Sequence, residues 1–272
     1  RGGPNLASSG YWNFNGNGYD SRGAPVEQQF AVLAGELKVL RQSDELVEVA
    51  FVREPVEPAF FRMMLHYVLR RGDPGFYIYM TASHDAAMPP GSIIQYAYNL
   101  RLSPNHFDYI AVDDKRRHVS HSCRDEKEAE AIMDATFRLS DGQTVSKYNY
   151  THAIEDGAFN LYGWAGRKTG VWWMQASGEY YGSAPYRVLL TSHQTAKTPV
   201  IIWQVQCTHR GGYALEFPPD DTTDWGKIYG PVFVYVNTGE DYDATWNDAK
   251  EQLQAMKSKW PPGFKRRFTS LN

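Results

Sequence analysis

The chain has 272 residues, 42% hydrophobic and 14% aromatic, with a formal net charge of -3 at pH 7. That composition supports a large core and excludes wholesale disorder, and its acidic balance offers no basic face for nucleic acid. No run of eighteen apolar residues could span a membrane as a helix. The two cysteines, Cys123 and Cys207, allow at most one internal disulfide and lack the spacing of a zinc site.

Residues 1–20 (RGGPNLASSGYWNFNGNGYD) are rich in Gly, Asn and Ser and read as a loop or mobile arm. Because the chain begins at Arg1 rather than Met, a processed product or a piece of a longer one is expected. Beyond the arm, short β-forming runs follow one another: 45–54, 60–72, 75–83, 93–102, 107–114, 170–177, 186–193, 200–209 and 230–237. Gly, Pro, Asn and Asp separate them, so the pattern predicts a large antiparallel sandwich. No internal repeat or long linker interrupts it, and a single domain over 1–272 is the simplest organisation.

Two segments carry helical spacing instead. Residues 123–135 (CRDEKEAEAIMDA) form a short charged candidate, and 243–261 a stronger one. In the latter Trp246, Ala249, Leu253, Met256 and Trp260 share one stripe, Asp243 or Thr245 can cap the start, and Pro261 stops it. This predicts an amphipathic helix docked on the sheet.

Signatures of common hydrolases are missing: there is no G-x-S-x-G, no H-E-x-x-H and no P-loop. The informative constellation is basic. In 93–102 the alternation places Ile94, Tyr96, Tyr98 and Leu100 on one face and Gln95, Asn99 and Arg101 on the other. Arg101 could grip a carboxylate with its planar fork, although single arginines more often pair at a surface. His209 ends an apolar run just before Arg210-Gly211-Gly212, which suits a proton-transferring group at a sheet rim as well as an ordinary surface histidine. Lys147 stands in SKYNYTH, where aromatic neighbours would either let its amine reach solvent or desolvate it and lower its pKa.

Five stretches then occur in order: KYNYTHAIEDGAFNLYGW, GVWWMQASGEYYGSAPYRVLLTSH, CTHRGGYALEF, DWGKIYGPVFVYVN and TWNDAKEQLQAMKSKWP. Together they resemble the catalytic domain of the rhamnogalacturonan lyases of polysaccharide lyase family 4, over about residues 45–264, and the plant and bacterial branch more than the fungal one. The resemblance implies a galactose-mutarotase-like β-supersandwich and β-elimination on rhamnogalacturonan I, a pectic polysaccharide. It implies Lys147 and His209 as the catalytic pair and Arg101 as a cleft residue. The expected substrate-binding set is Arg101, Asn99, Tyr148, Tyr180, Tyr181 and Arg210.

Fungal members carry tyrosines where this chain has Ile202 and Gln204, so the sugar subsites differ. The resemblance implies accessory modules after the catalytic domain, whereas the sequence ends at Asn272, as a natural one-domain form or a fragment would. The sequon Asn149-Tyr150-Thr151 lies two residues past the expected base, where a glycan would obstruct a cleft; this argues against glycosylation there or against a eukaryotic secretory origin.

The chemistry requires no cofactor; a structural calcium ion is left open. The expected protein is a secreted monomer whose partner is the polysaccharide, with neither nucleic acid nor membrane involved. Two other readings use the same scaffold: a non-catalytic carbohydrate-binding domain, or an enzyme of other activity, whether a lyase on a different uronate–rhamnose polymer, a glycoside hydrolase or an epimerase.

Overall fold

The structure, a computed structural model, describes residues 10–19, 25–32, 35–55, 60–120, 129–133, 136–153, 160–175, 188–190, 192–195, 198–207 and 214–259. Its larger sheet has nine antiparallel strands. In spatial order they are β3 (Glu36–Gln42), β4 (Leu46–Arg53), β5 (Arg62–Arg70), β6 (Gly75–His84), β20 (Trp225–Thr238), β15 (Thr169–Gln175), β14 (Asn160–Ala165), β8 (Tyr109–Ala111) and β9 (Arg117–Val119). The second sheet runs β17 (Ser192–Thr195), β18 (Thr198–Cys207), β7 (Gly91–Arg101), β1 (Gly10–Tyr19) and β2 (Pro25–Val32), with β19 (Leu215–Phe217) also on β7.

The sheets pack face to face because alternate residues of both are large and apolar. Trp173 and Tyr162 of the larger sheet meet Tyr98 and Trp203 of the smaller in one buried cluster. Trp173 lies 5.8 Å from Tyr98 and 5.6 Å from Trp203 between ring centroids. Two polar pairs cross the layers of this aromatic core: Tyr67 donates to Tyr98 Oη at 3.2 Å, and Trp164 Nε1 to the Val200 carbonyl at 3.2 Å, whereas Trp173 Nε1 meets no acceptor among the described residues. Such pairing removes the cost of burying an unmet donor. The all-β antiparallel sandwich expected from the strand pattern is the fold observed.

The period of two also sends Trp172, the neighbour of Trp173, to the opposite face. There it joins a second cluster with Trp246, Ala249, Leu253 and Met256 of helix α1 (Tyr242–Lys259). The helical stripe was therefore correctly placed, with Trp260 outside the described residues. The start is capped by Asp241 rather than by Asp243 or Thr245; its Oδ1 accepts from Ala244 N at 2.8 Å.

Four local expectations are corrected. Residues 10–19 of the supposed arm form β1, whose alternating sequence pairs with β7 on one side and β2 on the other. Residues 130–133 of the supposed helix form β10 (Glu130–Met133), paired with β11 (Thr136–Arg138). All four of its residues are exposed, so a helix there would have had no face to bury. The single run 186–193 divides into β16 (Val188–Leu190), which pairs with β13 (Thr151–Ala153), and β17, which pairs with β18. In β7 a register shift opposite Asn15 and Gly16 skips Ile94, so Ile93 rather than Ile94 joins Tyr96 and Tyr98 in the core.

Candidate active site

Lys147 opens a short 3-10 turn, Lys147–Tyr150, between β12 (Thr144–Ser146) and β13. The local sequence explains the turn. Ser146 Oγ accepts from Tyr148 N at 3.3 Å, capping the start, and also accepts from Thr136 on β11 at 3.0 Å. Tyr150 is buried in the core cluster, whereas Tyr148 is exposed. One aromatic residue thus anchors the turn and another stands in solvent.

A second anchor was not legible in the sequence. Asp113 Oδ1 accepts from the backbone N–H of Lys115 and Arg116, shaping the turn between β8 and β9. Its Oδ2 binds the Arg116 guanidinium at 2.8 and 2.6 Å. Arg116 Nη1 then donates to the Thr151 carbonyl at 2.5 Å and lies 3.5 Å from that of Asn149. Burial works to raise the Asp113 pKa, but the hydrogen bonds from Arg116 and Lys115 together hold it below the usual carboxylate range. The run Asp113-Asp114-Lys115-Arg116-Arg117 is the one sequence feature that could have drawn attention to this turn.

The Lys147–Tyr150 turn packs on β16 and β17. From there the register leads across the second sheet: His193 of β17 stands opposite Val200 of β18, and Val200 opposite Arg101 of β7. Lys147 and Arg101 therefore belong to the same end of that sheet. Asn99, buried, lies two residues along the same face as Arg101, opposite Ile202 and Tyr11.

In the sequence His209 falls between β18 and β19. β18 ends at Cys207, opposite Gln95, and β19 begins at Leu215, opposite Ile93. The intervening connection thus starts and ends beside the β7 bulge. Val200 and Cys207 are seven residues apart on β18, a span of about 23 Å at strand rise. The register thus puts the Lys147 turn and Arg101 at one end of the second sheet, and Cys207 further along β18. His209, Arg210, Tyr180 and Tyr181 lie outside the described residues, as does Cys123.

Another lysine has the desolvated character sought in Lys147. Burial lowers the pKa of Lys227, whose Nζ lies 5.2 Å from the Tyr229 ring centroid. Tyr229 belongs to the core between the sheets, so this amine lies at the inner margin of the sandwich and not on the outer face with Arg101. Among the described residues no group of three or more His, Cys, Asp or Glu is arranged to hold a metal ion. No helix among them is long and apolar enough to cross a membrane.

Comparison with known proteins follows the same direction. Residues 5–137 match the model of the rhamnogalacturonate lyase family. The chain is 25% identical over 227 residues to a rhamnogalacturonate lyase of Dickeya dadantii (strain 3937), covering 83% of this chain and 36% of that protein. The chain thus spans about a third of the length of this relative. A galactose mutarotase related enzyme from Lactobacillus acidophilus matches 83% of this chain and 79% of its own, with 10% identity and a TM-score of 0.40.

Proposed function

We propose that this rhamnogalacturonan lyase-like chain cleaves rhamnosyl-galacturonate bonds of rhamnogalacturonan I by β-elimination. The observation that carries the reading is the likeness over 227 residues to a rhamnogalacturonate lyase. Supporting it is the location of the Lys147 turn and Arg101 at one end of the second sheet.

The reaction needs three operations at one galacturonate. Its carboxylate must be neutralised so that H5 becomes acidic; a base must take H5; and O4 must leave with a proton. Arg101 serves the first, its fork matching the two carboxylate oxygens. Neutral Lys147 serves the second. Carboxylate and H5 hang on the same carbon, C5, so these two residues have to act close together, as their shared sheet end allows.

The electron pair of the C5–H5 bond becomes the C4=C5 double bond, and the C4–O4 bond breaks. His209, protonated, supplies the proton to O4. Its role follows from the motif likeness. Tyr148 and Asn99 are assigned to sugar binding, together with Tyr180, Tyr181 and Arg210 of the same motifs. The polymer substrate is too large to enter a cell intact, which places the work of this chain outside it. No metal ion is assigned a step.

The test is kinetic. Lys147→Ala and His209→Ala should each lower turnover roughly 10²- to 10⁴-fold, the range for a lost acid or base, with thermal stability unchanged. Near wild-type rates in either variant would remove that residue from its role. Chelator should leave the wild-type rate intact; loss of activity restored by calcium would replace the metal-free account with a metal-assisted one.

A further inference from the structure

The geometry points to the cavity beside the Lys147–Tyr150 turn as a subsite for a second uronate of the same polysaccharide chain, bound by Lys115 and His118. The cavity has a volume of about 640 Å³, within the range of small-ligand sites. Lys115, Arg116 and His118 come to it from the β8–β9 hairpin, Gln143 from the segment between β11 and β12, and Asn149 and Tyr150 from the turn itself.

The cavity offers an anion two side-chain hydrogen-bond donors that are not part of the Asp113 anchor. Arg116 is already paired with Asp113, so it serves the scaffold rather than a ligand. Lys115 makes no salt bridge among the described residues and is exposed at the rim. His118, also exposed, lies with its ring 6.0 Å from that of Tyr150 at an interplanar angle of 30°. Among the described lining residues Asp141 is the one carboxylate. An ammonium and an imidazole beside amide and hydroxyl groups make a set that can bind a carboxylated sugar through charge-assisted hydrogen bonds.

Position identifies which sugar. The inference rests on the lyase reading, in which a uronate is opened beside Lys147. Asn149 and Tyr150 follow Lys147 by two and three residues, about 4–6 Å along a 3-10 turn. A chain that alternates uronate with rhamnose presents its next carboxylate two sugars on, and the cavity flanks the turn. The site would therefore select polymers with a second charge near the cut, and would contribute to binding rather than to the chemical step.

The experiment uses calorimetry with a rhamnogalacturonan I hexasaccharide and its carboxyl-reduced counterpart. Lys147→Ala protein is compared with the same protein carrying Lys115→Ala and His118→Ala, and with a version carrying only Lys115→Gln. The subsite predicts that the triple variant binds the charged hexasaccharide about tenfold more weakly, the effect of losing a charge-assisted contact. Affinity for the reduced hexasaccharide should be unchanged, and Lys115→Gln should give part of the loss. Affinity for the charged ligand within twofold of the parent in both variants would overturn the subsite. Wild-type protein is assayed in parallel for an ultraviolet-absorbing product. A missing product with the affinity difference intact would overturn the lyase reading and keep the anion site; product with no affinity difference would do the reverse.

Discussion

Arg116 donates to the carbonyl of Thr151, the residue that closes the 3-10 turn opened by Lys147. The bond joins the β8–β9 hairpin to the segment bearing the proposed base. Because Asp113 fixes the guanidinium from behind, the carbonyl is held by a rigid donor rather than by a long mobile side chain.

Arg116 should consequently act as a positioning residue. Arg116→Ala is expected to lower kcat about 10- to 100-fold with KM nearly unchanged, since misplacing a base by an ångström is enough for such a loss. Arg116→Lys should recover only part of it, because an ammonium cannot hold Asp113 and the Thr151 carbonyl in the same geometry. Steady-state kinetics well below the melting temperature check this. A kcat within twofold of wild type, or a loss accounted for by melting alone, would return Arg116 to a purely structural role.

The outer face of the larger sheet carries a buried polar group that the mechanism does not use. Glu48 accepts a short hydrogen bond from Tyr79 and lies 3.2 Å from His66 Nδ1, while His66 stacks on Tyr79 at 3.9 Å. The His66 hydrogen bond is the largest influence on Glu48; with Tyr79 and the charges of His66 and Arg41 it outweighs burial and holds the carboxyl below its ordinary value of 4.5. A depressed folded-state pKa contributes stability that is present above the unfolded value and lost as pH falls through the folded one. Glu48→Gln should melt lower than wild type at pH 7 by about 1–3 kcal/mol of stability, and the gap should narrow below about pH 4.5. Melting curves across pH decide it; a constant gap down to pH 3 would contradict the assignment.

Helix α1 is held on the sheet by Asn237 as well as by its apolar stripe. Asn237 Oδ1 accepts from Trp172 Nε1 at 2.8 Å, and its Nδ2 donates to the Thr245 carbonyl and Asp248, each at 2.7 Å. A Cβ on Gly170 would collide with both Trp172 and Asn237, so glycine there makes room for the contact. Asn237→Ala leaves the buried indole N–H unmet and should cost about 2–4 kcal/mol, a fall in melting temperature on the order of 5–10 °C for a chain of this size. Differential scanning calorimetry checks it. A change below about 1 °C would mean that water or a neighbour replaces the amide at no cost.

Strands with strict alternation and strong β-formers were legible in the sequence, and so was the Trp246–Met256 stripe. What escaped were features decided by partners. β1 looked like a loop because Gly and Asn dominate its composition, yet flanking strands on both sides supply its backbone with partners. The shift at Ile94 cannot be read from β7 itself, since a bulge is a property of two strands. The candidate site divides in the same way. Lys147, Arg101 and His209 stood out by residue type and motif, but the shared sheet end of the Lys147 turn and Arg101 follows from the pairing of β17 with β18 and of β18 with β7. The role of Arg116 depends on a contact 35 residues away in sequence and left only a charged cluster to notice.

The most direct measurement is product absorbance. Purified protein is incubated with rhamnogalacturonan I and, separately, with homogalacturonan, and the ultraviolet spectrum is followed with time. Elimination creates a 4,5-unsaturated uronate whose conjugated double bond absorbs, whereas hydrolysis and binding create no such group. The account predicts a linear rise in absorbance with rhamnogalacturonan I, at least tenfold slower with homogalacturonan and absent in Lys147→Ala. New reducing ends from rhamnogalacturonan I without any rise in absorbance would contradict it and identify a hydrolase.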